Sequence, residues 1–258
     1  MPRSPRHQPP GAIQHVTARS NHGTPLFGDP AEYQLFLQLL WRTTREFGWS
    51  CLSYCLMPNH FHLLVRHEQS NLSAGMQKLG LTYARLYNDR RGRYGHVFQG
   101  RFASSPVVDG SHLYATLRYI ALNPVRAGLC ADPAAFPWSA HRALMELDPP
   151  RLVSVNDTWR LFSSTKADAV DAYAAVVANR AADEAFAAMR DQDGATGPVT
   201  PRDLRELAKT LSPDQLIVTG HLELGHSFAA IGRVIGRDRS SVARRFAKLK
   251  AARATPGT

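Results

Sequence analysis

The sequence has little cysteine. Three residues, Cys51, Cys55 and Cys130, are spread over 258 positions. So sparse and odd a set excludes a disulfide framework and points to a reducing compartment, the cytoplasm. Long hydrophobic runs are missing too. No uninterrupted apolar stretch approaches the ~20 residues that cross a bilayer, so no membrane partner is expected. The first ten residues are charged and proline-rich without an apolar stretch, which argues against a secretory signal. No glycine-rich phosphate loop occurs. Acidic residues are in short supply, 21 Asp and Glu against 31 Lys and Arg, for a formal net charge of +10. A chain this basic suits a polyanion, most often nucleic acid. Its 44% hydrophobic content is that of a folded protein.

At roughly 100–200 residues per domain, the length fits one large and one small domain. Alternation around residues 12–18 predicts a first strand. Asp29 suits an N-cap and Pro30 the first position of a helix that carries Tyr33, Phe36, Leu37, Leu40 and Trp41 on one face and ends at Gly48. Residues 49–57 read as a buried strand, Pro58-Asn59 as a turn, and 60–65 as the antiparallel partner. A second helix is predicted over 72–86, capped by Asn71 or Ser73, then an arginine- and glycine-rich loop at 89–95. A fourth strand follows over 102–108, then a third helix over 111–122, stopped by Asn123-Pro124. This β-α-β-β-α-β-α order predicts an α+β fold, a ferredoxin-like split βαβ antiparallel sheet with helices on one face. The first domain is placed at 1–190, with a core over about 10–145 and a helical extension over 150–190. A polar, turn-rich linker is placed at 191–200.

Residues 201–258 form a separate basic segment, with 11 Lys and Arg against 5 Asp and Glu. Helical stretches are predicted over 211–224, 227–236 and 239–246, with a turn at Arg237-Asp238. Ile231, Ile235, Val242 and Phe246 can fill a small core, leaving Ser240, Ser241, Arg244 and Arg245 on the outer face. This is the pattern of a small all-α helix-turn-helix domain, whose second helix reads duplex DNA in the major groove. The plainer alternative is a helical hairpin with a solvated basic face.

The most informative tripeptide is His60-Phe61-His62. On a strand, residues i and i+2 project from the same face, about 7 Å apart at a rise of ~3.3 Å per residue. Two neutral imidazoles so placed can share a divalent cation, although such pairs also occur on ordinary surfaces. A zinc set of these histidines with Cys51 and Cys55 is disfavoured, because both cysteines sit in an apolar strand-like run and a second pair of short-spaced ligands is unclear. Between Arg85 and Arg101 there are five arginines and one acid, interleaved with Tyr87, Tyr94 and Phe98. Guanidinium groups bind phosphate and aromatic rings stack on unpaired bases, so Arg90, Arg91, Arg93 and Arg101 are candidate DNA contacts; the alternative is a solvated loop. Tyr83, Tyr87, Tyr114 and Trp138 read more simply as packing residues.

Three segments then occur in a telling order: Pro58 to Val65, Gly95 to Phe102, and Tyr119-Ile120-Ala121-Leu122-Asn123-Pro124-Val125-Arg126-Ala127-Gly128. Over about residues 10–180 the chain resembles the single-tyrosine HUH transposases, specifically the REP-associated branch. That resemblance implies His60 and His62 as ligands of Mg2+ or Mn2+ and Tyr119 as a nucleophile. The implied reaction cuts and rejoins single-stranded DNA near hairpin-forming repeats through a 5′-phosphotyrosine, without ATP. Asn123 lies four residues after Tyr119 on the same helical face and is either a third ligand, a phosphate-orienting group, or only a cap before Pro124. The resemblance further implies DNA as the partner, a homodimer as one assembly, and a nucleoid-associated cytoplasmic location. The helix-turn-helix is an addition to the family core. A non-enzymatic DNA-binding regulator on a retained scaffold is the competing reading.

Overall fold

The computed structural model describes residues 9–179, 212–218 and 228–254. The predicted linker at 191–200, the later part of the extension and half of the first C-terminal helix lie outside the described residues. The core runs β1 (Ile13–Arg19), α1 (Pro30–Phe47), β2 (Trp49–Met57), β3 (His60–His67), α2 (Leu72–Arg91), β4 (Ala103–Pro106) and α3 (Gly110–Arg126). The four strands form one antiparallel sheet in the order β2-β3-β1-β4, which is the predicted ferredoxin-like topology.

Local signals set the elements. The Asp29 carboxylate accepts the Glu32 N–H at 3.0 Å, and Gly48 ends α1 in the left-handed conformation at φ 64°. Trp41, placed on the apolar face by spacing, instead stands half exposed with the Arg45 guanidinium over its ring. The second helix is longer than predicted. It continues to Arg91 and stops at Gly92, because Gly92 is the first residue that takes the left-handed conformation. β4 is shorter than predicted, four residues in place of seven.

The expectation of helices on one face holds only for α1 and α2. They pack on the side lined by Val16, Phe61, Leu63 and Val65, with Phe36, Leu40, Leu79 and Tyr83 between them. The opposite face carries Cys51, Cys55 and Leu64, and α3 covers it with Leu117 and Ile120. β2 is apolar on both faces and Leu64 of β3 adds to its α3 side, so both faces need a covering layer. Three further helices, α4 (His141–Leu144), α5 (Val155–Trp159) and α6 (Lys166–Ala178), complete that layer. Trp138 anchors the segment before α4, stacked on Tyr33 at 4.4 Å.

Nor does α3 stop at Asn123. It runs through Pro124 to Arg126. The proline falls in the last turn, where it removes one helical hydrogen bond, while Ile120, Ala121, Asn123 and Pro124 are all buried.

The C-terminal unit holds the helices Pro213–Val218, Phe228–Ile235 and Arg239–Ala254 around Leu216, Ile217, Ile231, Val242 and Phe246. Gly236 turns the chain at φ 69°, and a Cβ on Gly232 would stand 2.3 Å from the Arg237 carbonyl. No helix among the described residues is long and apolar enough to cross a membrane.

Candidate active site

The site forms where α3 packs on β2 and β3, with β1 alongside. Alternation sends Phe61 to the α1 and α2 side and His60 and His62 to the α3 side. Thr17 pairs with His62 and Arg19 with His60, so β1 contributes His15, Thr17 and Arg19 to the same face. From α3 come Tyr119 and Asn123, one helical turn apart. The Tyr119 ring stands edge-on to His62 at 5.2 Å and to His15 at 6.1 Å. The Arg126 guanidinium lies over the Tyr119 ring at 5.3 Å. The sequence-predicted His60, His62, Tyr119 and Asn123 therefore meet, although up to 63 residues separate them in the chain.

Hydrogen bonds order this cluster. Asn123 Nδ2 contacts His62 Nε2 at 3.2 Å, and Asn123 also hydrogen-bonds His60. His62 Nδ1 contacts His15 Nε2 at 3.1 Å, with the two rings stacked at 5.2 Å and 23°. His60 Nδ1 donates to Asn59 Oδ1 at 2.7 Å, in the turn that joins β2 to β3. Asn123 thus uses its side chain inside the site, and the helix continues past it, so it is not a cap. Burial and the nearby charge of Arg19 push His60 down to about 3, against the opposing effect of its bond to Asn123. Burial and the neighbouring His112 push His15 down to about 4. Both rings are neutral at pH 7, the state in which imidazole is a ligand.

This donor set fits a divalent cation. Two imidazoles share one face with their Nδ1 atoms engaged, so Nε2 is the nitrogen each would present to a cation, and on His62 that atom faces the Asn123 amide. An amide reaches both rings. The zinc alternative does not fit. Cys51 and Cys55 are enclosed in the core under α3, where burial pushes the Cys51 thiol up to about 12 and the Cys55 thiol well above its usual range. Among the described residues no group of three or more His, Cys, Asp and Glu side chains is arranged to hold a metal, so the His60 and His62 pair depends on an amide or on bound substrate to complete a coordination shell.

The basic residues divide. Arg91 grips both Glu32 oxygens at 2.8 Å, and Arg90 pairs with Asp29 at 2.8 Å. These pairs hold the end of α2 to the start of α1, in a stretch the sequence reading places in a loop after residue 86. Arg93, Tyr94 and Arg101 stand exposed beyond that helix. In the C-terminal unit Arg245 forms a two-point pair with Asp214, and Asp238 caps the last helix, its carboxylate accepting from the Ser241 N–H and hydroxyl. Ser240 and Arg244 are exposed on that helix. The other tyrosines serve packing: Tyr83 and Tyr87 donate to the carbonyls of Leu26 and Pro25, and Tyr114 donates to that of Leu161. His15 was missed by sequence reasoning. Its only signal was its place in a strand of alternating residues.

Residues 12–123 match the family described as "Transposase IS200 like". Among solved structures, a REP-associated tyrosine transposase bound to a REP hairpin aligns at 18% identity with a TM-score of 0.49, covering 58% of this chain and 89% of that one. No curated protein matches the chain. The segment matched by that family, residues 12–123, carries His15, His60, His62, Tyr119 and Asn123.

Proposed function

We propose that the protein is a metal-assisted DNA strand transferase that cleaves and rejoins single-stranded DNA beside hairpin-forming repeats, with Tyr119 as its nucleophile. The match to a transposase family supports a DNA-processing role. The observation that carries the finer reading is the Tyr119 ring set 5.2 Å from His62 on the face where His60, His62 and Asn123 converge. A phosphodiester is anionic and has a poor leaving group, so the site must offset charge and supply a strong attacking oxygen. His60 and His62, with Asn123, would hold Mg2+ or Mn2+, which when bound polarises a non-bridging phosphate oxygen. The Tyr119 hydroxyl oxygen attacks phosphorus and loses its proton, the bond from phosphorus to the 3′ oxygen breaks, and that oxygen leaves as a 3′-hydroxyl. The DNA stays on Tyr119 as a 5′-phosphotyrosine. Attack by a 3′-hydroxyl reverses the step and rejoins strands, which is why no external energy source is needed. Arg126, over the Tyr119 ring, places positive charge where the phosphate arrives. Exposed Arg93 and Arg101 supply phosphate contacts for the strand, and the C-terminal unit adds duplex affinity through Ser240 and Arg244.

The test uses labelled single-stranded repeat DNA with Mg2+ or Mn2+. A denaturation-resistant protein–DNA adduct is expected from the parent and none from Tyr119→Phe. An adduct formed equally by Tyr119→Phe rejects Tyr119 as the nucleophile. DNA binding without any adduct would favour the regulator.

A further inference from the structure

We propose that His15 is the positioning residue for His62, fixing both the ring orientation and the tautomer in which His62 presents Nε2 to a divalent cation. The inference rests on the proposed metal role of His60 and His62.

The geometry sets out the argument. His15 and His62 come from adjacent strands, with Thr17 directly opposite His62 and His15 two residues along on the same face. His15 Nε2 lies 3.1 Å from His62 Nδ1, within hydrogen-bond reach, and the rings stack at 23°. On the other side of the His62 ring, Nε2 faces the Asn123 amide at 3.2 Å. The amide nitrogen has only protons to offer, so His62 Nε2 is the acceptor. The His62 proton then resides on Nδ1 and is donated to His15 Nε2. Without that acceptor, the Asn123 N–H on Nε2 still marks one ring nitrogen, but it occupies the atom that a cation would take. The torsion that turns an imidazole is broad and nearly two-fold, so the ring would also populate the flipped state that presents Nδ1. Asn59 performs the same service for His60 through a carbonyl oxygen. The two candidate ligands thus each have a dedicated partner, one supplied by the β2–β3 turn and the other by β1.

Residues that orient metal-ligating histidines typically change metal affinity by roughly 10–100-fold when removed. Mn2+ titration of the full chain without DNA, read by electron paramagnetic resonance, tests this. His15→Leu, which keeps bulk but accepts no proton, is expected to weaken Mn2+ binding by roughly 10–100-fold. His15→Gln, whose Oε1 can accept the same N–H, is expected to stay close to the parent. Ring 15N chemical shifts in the metal-free parent give a second readout, independent of any variant: His62 should carry its proton on Nδ1. Parent-like Mn2+ affinity in His15→Leu, loss in His15→Gln as deep as in His15→Leu, or a His62 proton on Nε2 would each overturn the assignment of His15 alone. A parent that binds no Mn2+ overturns the metal reading of His60 and His62, and this inference with it.

Discussion

Glu32 is among the most enclosed charges in the protein, 2% exposed, and it stays ionised because Arg91 meets both of its oxygens. Burial by itself would raise its pKa, but the bonds from Arg91 and from the Gly28 N–H outweigh burial and hold the carboxyl below its usual value of 4.5. A carboxyl depressed on folding contributes stability that is complete above 4.5 and is lost as pH falls below it toward the folded value. Urea midpoints measured from neutral pH downward should therefore drop on the acid side of 4.5 in the parent, and drop less in Glu32→Gln. Arg91→Leu leaves the carboxylate buried without its partner and should cost about 3 kcal/mol near neutral pH, at the low end for a broken buried pair because Arg91 keeps some exposure. A sequence reader sees Arg90 and Arg91 in a run of arginines. Only the continuation of α2 to Gly92 reveals that both face carboxylates of α1. Asn123 shows the converse. Its spacing from Tyr119 marked it as a site residue, and only the contact with His62 separated that role from capping.

Elements were most legible where their ends are chemical. Asp29, Pro30 and Gly48 bound α1 as their side chains and φ preferences dictate. Pro124 misled, because a proline in the final turn costs one hydrogen bond while the surrounding residues gain burial against the sheet. One close approach of α2 to the start of β2 has no local signature. A Cβ on Gly75 would stand 2.3 Å from the Trp49 ring, which is itself buried and tied to Asn71 by its indole N–H at 2.8 Å. Gly75→Ala gains helix propensity yet forces that ring to move, and the clash should dominate. We expect a loss of about 1–3 kcal/mol, seen as a melting temperature lower by several degrees together with a shift in tryptophan fluorescence. Unchanged melting would mean that Trp49 has room to turn.

For the whole molecule, the excess positive charge is not one surface. More than half of the net +10 falls after residue 200, and part of the remainder is tied up in the pairs between α1 and α2. Arg244 is exposed on the last helix, whereas Arg245 is engaged by Asp214. In duplex DNA binding, Arg244→Ala should reduce the slope of log affinity against log salt by about 0.9, one phosphate contact, and Arg245→Ala should reduce it less. Equal slopes in all three proteins would remove the C-terminal helix from the interface. Local sequence is enough to set the strand and helix order, the α1 caps, the shared face of His60 and His62, and Tyr119 with Asn123 one turn along a helix. These follow from periodicity and end chemistry, which act over a few residues. Tertiary structure decided which β1 residue stands beside His62, which arginines are spent on carboxylates, and that α3 covers the second face of the sheet. Strand register and helix docking join residues tens of positions apart. No local spacing encodes those contacts; they are fixed only when the two faces of the sheet are buried together.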